Sequence, residues 1–104
     1  MAERTVYKIC TTSDWDRAQA MGVLEPSLDD KRDGFVHLSA KTQVEGTLER
    51  HFKGRTGLML LTVDTSRLPA GALKWEASRG GDLFPHLYGN LPLSAVTAAE
   101  PIGA

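Results

Sequence analysis

Apolar residues in the first part of the chain follow one period and then switch to another. Thr5 to Thr11 carries Val6, Tyr7 and Ile9, the β-branched and aromatic content that suits a pleated surface, and predicts a strand over 5–11. Thr12 or Ser13 is placed to cap a helix reaching about Met21, Asp14 and Asp16 suit the positive end of its dipole, and Gly22 stops it. Trp15, Ala18 and Met21, three apart, mark its expected buried stripe. Glu25 to Asp33 is polar, contains Pro26 and an aspartate pair, and reads as a surface loop of the kind that serves as a lid. After Gly34 the run FVHL predicts a short strand. Ser39 then stands where it would cap a second helix from Ala40 to Phe52, with Val44, Leu48 and Phe52 inward, Arg50 and Lys53 at its negative end, and Gly54 as its stop.

Leu58 to Val63, LMLLTV, is almost continuously apolar between Gly57 and the turn formers Asp64, Thr65 and Ser66, so a central strand buried on both faces is expected. Leu73 to Ala77 alternates weakly as a further strand, Arg79 to Asp82 is a glycine-rich turn, and Leu93 to Ala99 is expected to close the sheet. Strands mixed with two main helices make this an α+β chain. No repeat, low-complexity tract or linker divides residues 1–104, and that length suits a single domain.

Charge narrows the function classes. A formal net charge of -1 gives no long-range positive field, which argues against bulk nucleic-acid or anionic-membrane binding. Cys10, the only cysteine, permits neither an intrachain disulfide nor a thiolate zinc cluster and fits a reducing compartment. It lies in the apolar run VYKIC and reads as a small buried hydrophobe. With no apolar leader in MAERTVYK and no apolar stretch of membrane-spanning length, a cytoplasmic protein is expected.

Two segments carry candidate chemistry. In GFVHLS, His37 and Ser39 leave the strand on the side of Phe35, and Ser39 opens a helix, whose unpaired N–H groups suit a phosphate or carboxylate. The alternative is a satisfied core histidine beside an ordinary cap. In KWEASRGGDLFPHLYG, Gly80 and Gly81 allow positive φ, Pro85 favours an extended Phe84, and Phe84, His86 and Tyr88 can share one face as an aromatic wall with polar tips. Here the alternative is a hydrophobic clamp holding a loop. His37, His51, His86 and Glu76 are conceivable metal ligands, but none falls at the spacing of a helical zinc motif, and no metal is expected. Ser39 sits in no nucleophile elbow, and P-loop and dinucleotide-fingerprint glycines are missing.

Taken together, Tyr7-Lys8, Trp15, Asp33-Gly34-Phe35-Val36-His37-Leu38-Ser39, Trp75-Glu76 and Phe84-Pro85-His86-Leu87-Tyr88-Gly89 resemble the domain-of-unknown-function 952 family over nearly the whole chain. That family is similar to a compact ADP-ribosyltransferase-like fold, in which two short β-sheets form a cleft that grips NAD. The resemblance implies NAD as substrate, with His37 holding a ribose hydroxyl and Ser39 assisting. Tyr88 or Trp75 would stack the nicotinamide, Arg79 would meet a pyrophosphate oxygen, and His86 would line the pocket. Glu76 would stabilise positive charge as the glycosidic bond breaks. The expected activity is cleavage of a nicotinamide–ribose bond or transfer of ADP-ribose. Two other readings stay open: a nucleotide- or metabolite-binding module without chemistry, and a protein-interaction domain using the FPHLYG surface.

Overall fold

The start of the chain folds as its alternation predicts. In the computed structural model, which describes residues 4–102 and only the backbone of Arg79, β1 spans Thr5–Thr11. It pairs antiparallel with β4, Leu58–Asp64, which pairs on its other side with β8, Val96–Ile102, to give the order β1-β4-β8. Period two sends Val6 and Cys10 inward, where register sets them against Val63 and Met59. The central position expected for β4 is the observed one. Full burial on both faces is not: Leu61 and Val63 are completely buried, whereas Leu60 and Thr62 on the other face are only partly covered.

The second sheet has the order β3-β6-β5, built from Val36–His37 (β3), Leu83–Leu87 (β6) and Leu73–Ala77 (β5). Val36, Leu87, Leu73 and Trp75 face the core, so the alternate positions His37, His86 and Lys74 face away from it. Backbone bonds between Tyr7 and Ser39, both 2.8 Å, stitch this sheet to the first. A third, two-stranded sheet pairs β2, Val23–Leu24, with β7, Leu91–Pro92. The described residues therefore contain three sheets where two were expected, because strands of two residues are too short to leave a periodic signal.

Among the described residues three α-helices occur where two were expected. Helix α1, Thr12–Met21, is capped by Thr11, whose hydroxyl accepts from Asp14 N–H, one residue before the expected cap. Gly22 ends it at φ +83°, a left-handed conformation that glycine adopts without strain. Its inward side is Ala18 and Trp15, while Met21 is half exposed. Helix α2, Leu28–Asp33, lies inside the expected loop; Ser27 and Asp30 form a capping box that starts it and Gly34 ends it. The helix expected from Ala40 to Phe52 is a 3-10 turn at Lys41–Gln43 followed by α3, Val44–His51. Ser39 does not cap it. Gln43 Oε1 accepts from Ala40 N–H instead, and the buried Ser39 hydroxyl bonds Thr47. The C-terminal strand begins three residues later than expected because Leu93–Ala95 forms a 3-10 turn. No helix among the described residues is long and apolar enough to cross a membrane.

Leu61→Ala should remove buried contacts at the centre of the first sheet and cost about 2–5 kcal/mol. Leu83→Ala, at a side chain 55% exposed, should cost under about 0.5 kcal/mol. Urea denaturation of both variants measures the difference.

Candidate functional site

Alternation along β1 places Lys8 on the same inward face as Val6 and Cys10, so an ammonium enters the interior and needs a counter-charge. Asp30, 1% exposed, supplies it at 3.1 Å. Lys8 Nζ also donates to the His37 carbonyl at 3.2 Å. Asp30 Oδ2 accepts from Ser27 N–H at 3.0 Å as well as from Lys8, and Oδ1 accepts from His37 N–H at 3.1 Å and faces His37 Nδ1. Both oxygens are thus fully used, the condition under which a carboxylate tolerates burial. Burial alone would push this carboxyl up; the His37 ring, Lys8 and the two backbone N–H groups outweigh it and hold Asp30 well below the usual carboxylate range.

The other edge of His37 is Nε2, 2.8 Å from Asp33 Oδ2, and the side chain is 38% exposed. Only a ring protonated on both nitrogens offers a donor to each of these carboxylates. Asp33 is itself held low, chiefly by its bond from Arg32, with His37 contributing. Opposite His37 in the β3–β6 ladder stands His86, with ring centroids 6.1 Å apart. Phe35 stacks on His86 at 3.8 Å and 19° and touches the His37 ring at 4.7 Å. Glu76 Oε1 faces His86 Nδ1 at 2.9 Å and accepts from Tyr88 Oη at 2.6 Å. These bonds, that from Tyr88 first, lower the Glu76 carboxyl, and the same contact raises the Tyr88 phenol. Each imidazole therefore has its Nδ1 fixed by a carboxylate, the arrangement that sets a histidine's orientation at a working site.

A cleft of about 890 Å³ opens along the seam between the two main sheets, walled by α1, the 23–33 segment and α3. His37, Ser39 and His86 line it, and so do Lys8, Asp30 and Asp33. Glu76 and Tyr88 are not among its walls and reach it only through His86. Tyr88, 40% exposed, lies beneath Lys74, whose Nζ is 5.2 Å from its ring centre. Trp75 does not fit the stacking role expected of it: paired with Pro85, it points to the opposite face of β5 and packs on the core. The side chain of Arg79, expected at a pyrophosphate, lies outside the described residues. Cys10 is buried as expected, and burial pushes its thiol up to about 11, leaving it inert. Among the described residues, no group of three or more His, Cys, Asp or Glu side chains could hold a metal.

Lys8, Asp30 and Asp33 went unremarked as site residues, although one signal pointed to Lys8 and another to Asp30. The alternation Val6-Lys8-Cys10 puts the lysine inside, and Ser27-x-x-Asp30 has capping-box spacing.

Asp30→Asn would strand a buried ammonium and should cost about 3–5 kcal/mol, while the double change with Lys8→Met should cost less than Asp30→Asn alone. The folded Asp30 carboxyl lies below its ordinary 3.8, so its stabilisation is complete above that value and is lost as pH falls through the lower, folded one. Urea midpoints should hold from about pH 7 to about pH 5 and fall below about pH 4, less steeply in Asp30→Asn.

Comparison with known proteins gives relatives of the same architecture. The family described as "Protein of unknown function (DUF952)" matches residues 9–99. The crystal structure of protein CC0527 from Caulobacter crescentus superposes with a TM-score of 0.90 at 45% identity, over 95% of this chain and 86% of that one. A double mutant of CC0527 gives 0.90 at 44% over the same shares. The solution NMR structure of CC0527 gives 0.83 at 46%, over 96% and 85%. No curated protein matches the chain. Since the family match runs from within β1 to within β8 and the CC0527 fold is shared throughout, the chain belongs to the DUF952 family of proteins of unknown function.

Proposed function

We propose that the chain binds an NAD-like nucleotide in the seam cleft and acts on its nicotinamide–ribose bond, in the manner of a compact ADP-ribosyltransferase. The observation that carries this reading is the His37 ring, fixed through Nδ1 by buried Asp30 and partly exposed, with Asp33 at its Nε2, in a cleft at the upper end of ligand-pocket sizes. A ligand hydroxyl taking the place of Asp33 receives a hydrogen bond from Nε2. That is the task of holding a ribose rather than of removing a proton. The meeting of two small sheets along the cleft supports the likeness to ADP-ribosyltransferases.

In this reading the C–N bond breaks with its electron pair leaving on nicotinamide. The oxygen of water or another acceptor bonds to the ribose carbon and releases its proton to solvent. Glu76, kept ionised by Tyr88 and His86, acts through His86 as a negative charge behind the ring that faces the developing sugar cation. The reading places the protein in the cytoplasm, with NAD consumed rather than recycled.

A second reading, a binding module without turnover, is favoured by one feature: Glu76, the carboxylate of the proposed chemistry, is not among the cleft walls.

Calorimetric titration with NAD and ADP-ribose, together with an assay of nicotinamide release, separates the readings. His37→Ala should abolish binding of both ligands. Glu76→Gln should retain affinity and lose turnover by about tenfold or more. Binding without release by the native chain selects the module. No heat from either ligand, on folded protein, sinks both.

A further inference from the structure

The wall contributed by α3 differs in charge from the rest of the cleft. With the 3-10 turn before it, α3 presents Thr42, Gln43, Gly46, Thr47 and Arg50 to the cleft at spacings of three and four, with His51 and Phe52 beside Arg50. Arg55 follows on the same wall. Glu45 and Glu49 of α3 are not among the cleft residues, so this wall carries no acid. Elsewhere in the cleft Lys8 pairs with Asp30 and Arg32 with Asp29 and Asp33, while Arg17 and Lys31 have no ion-pair partner among the described residues. Among the described residues, neither Arg50 nor Arg55 has an ion-pair partner; Arg55 lies over the Phe52 ring at 5.3 Å.

Gly46 is the second observation. It sits inside α3 at an ordinary helical φ, where glycine weakens a helix relative to alanine, and a Cβ built there would meet nothing within 4 Å. The protein's own packing therefore gives no reason for it. A methyl group at this position would stand in the space of the cleft. Neighbouring polar groups are already occupied, since Gln43 bonds Ala40 and Leu83 and Thr47 bonds Ser39.

We propose that this wall is an anion subsite for a phosphate- or diphosphate-bearing ligand, with Arg50 and Arg55 as its cations and Gly46 as the point where the ligand lies against helix backbone. Guanidinium groups match phosphate oxygens in a fork, and those without carboxylate partners are available for it. The C-terminal end of a helix is itself negative, so the arginines supply the attraction here. The inference deepens the nucleotide reading by assigning the phosphate end of its ligand, and the subsite can be tested without that reading.

Inorganic diphosphate is the probe, titrated calorimetrically into the native chain, Arg50→Ala/Arg55→Ala, Gly46→Ala and, as control, Lys53→Ala, whose side chain lies outside the cleft. The double arginine change should weaken binding about tenfold to a hundredfold, with Lys53→Ala unchanged. In parallel titrations with ADP-ribose, Gly46→Ala should raise Tm while lowering affinity, opposite directions that a purely structural role does not produce. Diphosphate bound equally by the native and double-arginine chains, or no diphosphate heat from the folded native chain, overturns the subsite; unchanged ADP-ribose affinity in Gly46→Ala overturns the part given to Gly46. Diphosphate binding with no heat from NAD or ADP-ribose leaves the subsite standing and sinks the nucleotide reading. NAD binding indifferent to both arginines does the reverse.

Discussion

Burying an ammonium and a carboxylate together is costly unless hydrogen bonds compensate, and the Lys8–Asp30 pair draws its partners from three separate parts of the chain, two acceptors for the ammonium and donors for both carboxylate oxygens. Lys8 comes from β1, Asp30 and Ser27 from the start of α2, and the N–H, carbonyl and ring of His37 from β3. None of the three can move far without leaving a charge unsatisfied in the interior. The pair therefore acts as a fixed point between the first sheet, the helix over the cleft and the strand that carries the candidate ligand-binding histidine. A well-packed apolar pair would hold the fold as well. Only the charged one also holds an imidazole edge-on to a cavity.

The two imidazoles differ in what their surroundings permit. His37 is partly open and stands between two carboxylates, while His86 is nearly buried under Phe35 and tied to the Glu76–Tyr88 pair. A ligand reaching both would meet a donor on one side and a charge-backed ring on the other. This asymmetry is why the proposed roles fall as holding for His37 and electrostatic support for His86.

Much of the fold was legible because apolar, strand-forming runs stand between clear turn formers. β1 and β5 begin and end where their sequence pattern does, and the meeting of GFVHLS with FPHLYG emerges as direct pairing of His37 with His86. α2 was illegible as a helix because a six-residue, mostly charged segment after Pro26 has no apolar period to read; its only signal is the Ser27–Asp30 box. Trp75 was assigned to the ligand on residue type, but the face a strand residue occupies is fixed by register, and Trp75 pairs with Pro85 on the core side. Lys8 was passed over for a related reason. An aliphatic stem lets lysine follow an apolar alternation inward, and its need for Asp30 involves a partner 22 positions away that no local pattern reports.

The pairing of β3 with β6 also governs how this family can tolerate changes of length. A strand of two residues has no spare positions, so inserting or deleting one amino acid between Gly34 and Ser39 would rotate the segment by half a pleat. Val36 would then point outward and His37 into the hydrocarbon interior. Relatives that keep the paired imidazoles are thus held to one length along the short stretch from Gly34 to Ser39.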